Sequence, residues 1–145
     1  MSVVGLQQIV DELLAATGAS RCTLRQDVPD DFFPVTHEAL APGVPSIRHE
    51  RTTDLRRAPV VRELVKTGRQ VVQDDCASAF DDPAFRRMLV AYGGLAAQIV
   101  TPVFLDGRLA AIVSLHQLEA PRRWTTGERA LAAAAGERVR ALLVL

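Results

Sequence analysis

Residues 95–138 constrain this chain most: two β-type runs flank Asp106-Gly107, and a helix with a visible start signal follows. An Asp-Gly pair between apolar runs specifies a two-residue type I′ turn, because that turn needs positive φ at both central positions. The two runs are therefore expected to be antiparallel neighbours. After the turn, Leu109, Ala111, Val113 and Leu115 fall on one face of the second strand, and Ala110, Ile112, Ser114 and His116 on the other. Both faces are largely apolar, which predicts a central strand covered on both sides. Thr125-Thr126-Gly127-Glu128 then reads as a capping box, with Glu128 three residues after the cap. The helix it opens is expected to bury a stripe of Leu131, Ala134, Ala135, Val139 and Leu142, whose alanines allow a close helix approach. Trp124 is expected to anchor the start of that helix.

The preceding chain is punctuated clearly enough to divide. Leu6, Ile9, Val10, Leu13 and Leu14 recur at helical spacing, and Gly18 stands where a helix-ending glycine belongs. Residues 21–26 alternate as a first strand, and Asp27, Pro29, Asp30 and Asp31 supply a polar turn. Residues 32–40 read as a second strand interrupted by Pro34, hence an edge or bulged one. Residues 41–54 are irregular, with Pro42, Gly43 and Pro45, and with Arg48, His49, Glu50 and Arg51 crowded together. Pro59 suits the first turn of a helix with Val60, Val61, Leu64 and Val65 as its apolar face and Gly68 as its stop. Residues 70–73 form a short strand ending at Asp74-Asp75. Asp82 and Pro83 pair as cap and first residue of another helix, with Phe85, Met88, Leu89 and Tyr92 inward and Gly93-Gly94 ending it.

Composition excludes several classes. The 145 residues fit one domain, 1–145, large enough to bury about two thirds of its unfolded surface. Seventeen basic residues balance 17 acidic ones, so no global field draws in nucleic acid or an anionic membrane. The N-terminus lacks a basic region and carries Asp11 and Glu12, unlike a secretory signal. No apolar run approaches the roughly 20 residues needed to span a bilayer. Cys22 and Cys76 are far apart and follow no metal or redox spacing, so neither a disulfide framework nor a zinc site is expected, and a reducing cytoplasm is the default. The last five residues, Ala141 to Leu145, are apolar and helix-like; they are expected either to continue into a longer protein or to dock on a partner.

The element order α-β-β-loop-α-β-α-β-β-α resembles that of GAF domains over essentially the whole chain. Residues 101–109, Thr-Pro-Val-Phe-Leu-Asp-Gly-Arg-Leu, resemble the P-x-x-x-x-G-x-x-x-G hairpin of that family, with Ala111 where many members have the second glycine. Residues 124–128 resemble the start of its last helix, and residues 17–25 and 72–75 resemble GAF modules of bacterial signalling proteins. The resemblance implies an α+β fold: a six-stranded antiparallel sheet with the N- and C-terminal helices packed on one face and a ligand pocket on the other. It also implies a small sensory or regulatory unit of a signalling system that pairs as a homodimer through its terminal helices.

The expected pocket residues are His37, Arg48, His49, Asp74, Tyr92, Gln98, Ser114 and His116. Arg48 and His49 read as part of a lid, since binding residues concentrate in such loops, or more plainly as a solvated loop. His116 reads as a ligand contact or as a hydrogen-bonded interior histidine; with no second histidine at metal spacing, no metal site is expected. His37 and Glu38 are adjacent in a strand and point to opposite faces, which argues against an acid–base pair. Cys76 lies beside Asp74 and Asp75, whose charges would raise its thiol pKa, and no histidine follows it as in bilin-binding GAF domains. Cys22 reads as core. No catalytic constellation is visible and no cofactor is named. The leading expectation is a non-enzymatic module binding a small molecule; the alternatives are a dimerisation or protein-interaction module with a vestigial pocket, and a redox enzyme like the free methionine sulfoxide reductases, whose cysteine arrangement this chain lacks. The Asn-Lys-Phe-Asp-Glu motif associated with cyclic-nucleotide binding is also absent.

Overall fold

A computed structural model describes residues 5–51 and 54–144; two positions of the segment read as irregular, 52 and 53, lie outside the described residues, as do the first four residues and Leu145. The chain runs α1 (Leu6–Thr17), β1 (Arg21–Gln26), β2 (Val35–Leu40), α2 (Pro59–Thr67), β3 (Val71–Gln73), a 3₁₀ turn (Cys76–Ser78), α3 (Pro83–Ala91), β4 (Leu95–Leu105), β5 (Arg108–Leu118) and α4 (Thr126–Leu143). The strands form one antiparallel sheet in the order β2-β1-β5-β4-β3. It has five strands, not the six that the family resemblance implied. Among the described residues, the chain between β2 and β4 is occupied by loops and helices, apart from the three residues of β3.

The β4–β5 hairpin turns at Asp106 (φ 52°) and Gly107 (φ 77°), the positive pair that a type I′ turn requires. Strand β5 pairs with β1 on one side and β4 on the other, and is central as its two apolar faces imply. Its Ala111, Val113 and Leu115 join Cys22 and Leu24 of β1 and Ile99 and Val103 of β4 in a core under α1 and α4. Its Ile112 belongs to a second core on the opposite face, with Val60, Val61 and Leu64 of α2, Phe85 of α3 and Tyr92 just beyond α3. Strand β2 is an edge, starting at Val35 after Pro34, with a bulge where β1 passes from Leu24 to Arg25. Phe33 precedes it at φ 56° and is buried, so the segment read as strand before Pro34 is a turn that drives an aromatic ring into the core. Val65 is 61% exposed, on the outer side of α2, and does not share the face of Val61 and Leu64.

The capping box of α4 is complete: Thr125 Oγ1 accepts from Glu128 N at 3.0 Å, and Glu128 Oε1 accepts from Thr125 N at 2.9 Å. Trp124 is buried, its indole N–H donating to Gln73 O at 3.1 Å. The Arg122 guanidinium lies 4.6 Å from the Trp124 ring and donates to the Glu128 carboxylate and to Thr17 O, tying the start of α4 to the end of α1. The buried stripe of α4 is Ala132, Ala135, Gly136 and Val139, with Leu142 packed against the same core; Ala135, Val139 and Leu142 lie where expected, whereas Leu131 is 45% exposed and Ala134 is exposed. Gly136 replaces Ala134 as the close contact. A Cβ there would stand 2.9 Å from Thr101 Cγ2, so the helix is seated on β4 where this buried position has no side chain.

Gly136→Val is therefore expected to lower unfolding free energy by about 1–3 kcal/mol, the range for overpacking a tight contact. Urea denaturation would measure it, with Ala134→Leu on the exposed face as a control expected to stay within about 0.5 kcal/mol of wild type.

Candidate functional site

Under α2 and α3 the sheet does not close on its covering helices. A cavity of about 410 Å³ lies between them, with Val60 and Val61 of α2 and Phe85 and Met88 of α3 as apolar walls. Its floor is set by strand register. Arg21 faces His116, His116 faces Gln98, and Gln98 faces Gln73, so one polar row crosses four strands. The next row runs Thr23, Ser114, Val100 and Val71, and beyond it Arg25 pairs with Ile112. Gln98, Val100, Ser114, His116, Ile112 and Arg25 all line the cavity.

Two buried arginines organise this floor. Arg21 donates to Tyr92 O through both terminal nitrogens, at 2.9 and 2.7 Å. Tyr92 caps the C-terminus of α3, where carbonyls carry partial negative charge, so the cation binds the helix end to the sheet. Burial lowers the Arg21 pKa to about 10, which leaves it charged at neutral pH, with Glu38 the carboxylate that acts on it electrostatically. Its Nε has no partner. Arg25 donates to Phe33 O at 2.8 Å and to the Tyr92 hydroxyl at 2.9 Å. Among the described residues, neither arginine has a carboxylate within ion-pairing distance.

His116 is enclosed by the same groups. Its ring stacks on Tyr92 with centroids 5.8 Å apart, and Arg21 Nη1 lies 3.5 Å from its Nδ1. Burial, reinforced by the charges of Arg21 and Arg25, holds its pKa well below the ordinary histidine value, so the ring is neutral at pH 7. A guanidinium only donates, which assigns Nδ1 as acceptor and places the ring proton on Nε2. Gln98 donates to Gln73 Oε1 at 2.9 Å.

Of the residues singled out from the sequence, Tyr92, Gln98, Ser114 and His116 are brought together on the cavity. The other four are not. His37 pairs with Leu24 of the helix-side core and has Nδ1 2.9 Å from Thr36 Oγ1. Arg48 donates to Thr36 O at 3.1 Å, along the edge of β2, and His49 is exposed. Glu38, whose carboxylate accepts from Ser46 Oγ and Ile47 N, holds this part of the loop to that edge; Arg48 and His49 do not line the cavity, whereas Asp54 at the end of the same segment does. Asp74 is a tether: its carboxylate accepts from Trp124 N and its carbonyl from Arg122 N. Arg21, Arg25 and Gln73 were not singled out; the signal was present in the alternation of residues 21–26, which puts Arg21, Thr23 and Arg25 on one face.

Both cysteines are buried, Cys22 in the helix-side core and Cys76 in the cavity-side core, and neither lines the cavity. Burial pushes each thiol up to about 12, with a smaller contribution from Asp11 for Cys22 and from Asp75 for Cys76. For Cys76 burial therefore outweighs the carboxylate effect. Among the described residues no group of three or more His, Cys, Asp or Glu is placed to hold a metal ion, and no helix is long and apolar enough to cross a membrane.

The depressed His116 pKa has a measurable consequence. The unfolded chain takes up this proton near pH 6.5 and the folded chain well below it, so stability falls as pH drops below 6.5. Between pH 7.5 and 5.5, wild type is expected to lose roughly 1 kcal/mol more than His116→Gln in urea titrations, the other titrating groups being common to both proteins.

A family model described as the GAF domain matches residues 4–143. No curated protein matches the chain. Among solved structures, the blue-light absorbing form of the Thermosynechococcus elongatus PixJ GAF domain is similar at 22% identity and TM-score 0.74, covering 96% of this chain and 87% of that one. The phycocyanobilin-bound GAF domain of a cyanobacterial phytochrome is similar at 19% identity and TM-score 0.76, covering 96% and 84%. The chromophore-binding domain of the bacteriophytochrome RpBphP3 from R. palustris gives 17% identity and TM-score 0.78, covering 99% of this chain and 56% of that longer one. At such identities these likenesses concern the fold, whereas the family match spans nearly the whole sequence: the chain belongs to the GAF domain family.

Proposed function

We propose that this GAF domain is a non-enzymatic module that binds a small molecule reversibly and reports it within a bacterial signalling system. The cavity carries this reading: about 410 Å³, walled by α2 and α3 and floored by a few buried polar groups on paired strands, which is the usual make-up of a ligand site. The site held between β1, β4 and β5 is preformed, since its polar side chains are positioned by sheet register. Two of the similar structures contain or are named for a bound chromophore. For this chain the reading is non-covalent, because neither thiol lines the cavity and both are pushed to about 12, far from a reactive thiolate. The same thiols weigh against methionine sulfoxide reductase chemistry, because they lie in cores on opposite faces of the sheet. Two free cysteines fit a reducing cytoplasm.

Thermal-shift measurements with haem, biliverdin, purine nucleotides and aromatic carboxylic acids test this. A true ligand at a hundred times its Kd stabilises by about 2.7 kcal/mol. Ser114→Phe, which fills the cavity floor, is expected to abolish that shift. No stabilisation by any of these compounds, or one that survives Ser114→Phe, overturns the reading.

A homodimer through the terminal helices is the second reading. It is favoured by Leu131, 45% exposed on the outer face of α4 beside the exposed Ala134. Leu13 is buried in the chain's own core and Leu142 packs against it, so neither is the residue to alter. In sedimentation velocity the wild type is expected to be dimeric and Leu131→Glu monomeric; a monomeric wild type at high concentration rules this reading out.

A further inference from the structure

Resting on the small-molecule reading above, we infer that the cavity takes an organic carboxylate, its anionic group seated at Arg25 and its apolar body between α2 and α3. Among the described residues, the charged groups on the cavity wall are three arginines, Arg25, Arg57 and Arg87, and two aspartates, Asp54 and Asp82. Both aspartates are already engaged. Asp54 Oδ2 is 3.8 Å from Arg57 Nε and its Oδ1 accepts from Arg56 N, while Asp82 Oδ1 caps α3 by accepting from Ala84 N and Phe85 N. Arg57 and Arg87 are exposed, where solvent screens their charge, and Arg57 has Asp54 beside it. Arg25 is only 8% exposed and is matched by a backbone carbonyl and a phenol, both neutral.

A buried guanidinium with neutral acceptors alone has lost its hydration without gaining a counter-charge, which is an expensive arrangement. Arg21, four residues along the same strand face, adds a second buried positive charge. Arg21 spends both terminal nitrogens on the α3 C-terminus and does not line the cavity; Arg25 also holds Phe33 and Tyr92 in place but, unlike Arg21, presents itself on the cavity wall. Five N–H donors belong to each guanidinium and the two hydrogen bonds of Arg25 engage two of them, which leaves donors for an incoming carboxylate. The neighbouring polar groups fit the same acceptor. His116 is neutral with its proton on Nε2, so it donates without competing for the anion's charge, and Ser114 stands diagonally across the β1–β5 register from Arg25. Val60, Val61, Phe85 and Ile112 leave the rest of the cavity suited to an apolar or aromatic body.

A pair of probes of one shape and different charge tests this: 3-phenylpropionate and its primary amide, 3-phenylpropanamide. Each is titrated into the full chain while the backbone amides of Gln98 and Ser114 are followed in ¹H–¹⁵N spectra, which also report whether each variant is folded. The acid is expected to bind wild type at least about ten-fold more tightly than the amide. In Arg25→Gln the two are expected to bind within about two-fold of each other. Arg25→Lys, which keeps the charge and loses the planar fork, is expected to weaken the acid about ten-fold and leave the amide unchanged, and it decides the matter if the Gln variant does not fold. Equal binding of acid and amide to wild type, or a preference for the acid that survives the Arg25 changes, overturns the inference while the cavity remains a small-molecule site. If neither probe shifts the Gln98 and Ser114 amides, the carboxylate inference is overturned and the thermal-shift series alone decides the broader reading.

Discussion

Strand β5 gives its backbone hydrogen bonds to β1 on one side and β4 on the other, and everything else in this molecule is arranged around that sharing. Pairing on both edges satisfies the strand's backbone, and the apolar residues on both of its side-chain rows are what call for cover on each face. The two rows meet this demand differently. Ala111, Val113 and Leu115 are apolar and are sealed by α1 and α4. Ile112, Ser114 and His116 are mixed, and the polar members cannot be sealed by hydrocarbon without losing hydrogen bonds. They are met instead by polar groups from β1 and β4 and by a cavity, which is why the open volume lies on this face and not the other.

The polar row then needs its own support. Arg21 and Arg25 are buried on β1, and each reaches beyond the sheet: Arg21 to the carbonyl that ends α3, Arg25 to Phe33 O and to the Tyr92 hydroxyl. These bonds join α3 and the turn before β2 to a sheet with which they share few backbone contacts. They also fix the state of His116, because two nearby cations and complete burial oppose its protonation. One pair of arginines thus sets cavity shape and cavity charge together.

What the residues disclosed in advance follows from how local each device is. The Asp106-Gly107 turn, the Thr125–Glu128 capping box and the Asp82 cap with Pro83 are closed by neighbours within a few positions, and all three form. On α4, Ala135, Val139 and Leu142 were legible, but Gly136 was missed because it contributes no hydrophobicity to a stripe, yet its missing side chain is what lets the helix approach Thr101. The sixth strand was carried in from the family likeness against the chain's own five β segments. Arg48 and His49 lie away from the cavity for a reason distant in sequence: Glu38 on β2 accepts from Ser46 and Ile47 and holds that part of the loop to the sheet edge, while Asp54 at its far end reaches the cavity wall. Arg21 and Arg25 were overlooked because alternating charge on a strand ordinarily marks a solvent face. That rule fails once β2 and β5 both pair with β1, since the face is then roofed by α3 and the turn at Phe33.

Tyr92 is the residue through which cavity and scaffold meet. Its ring stacks on His116 and its hydroxyl takes a bond from Arg25, while its carbonyl is the end of α3 in the grip of Arg21. The next residue, Gly93 at φ 85°, leaves no space for a side chain: a Cβ would stand 2.9 Å from Pro45 Cγ and 3.4 Å from Leu118 Cδ1. The chain therefore leaves α3 along one path, directly into β4. A ligand changes the conformation of such a domain only by the difference in its affinity for two arrangements. Atoms able to register that difference must touch the ligand and also hold an element that moves. Here the cavity contributes the ring and hydroxyl of Tyr92, and the same residue's carbonyl secures α3 to β1. The residue that presents its ring to the cavity is therefore also the one that seats α3 on the sheet.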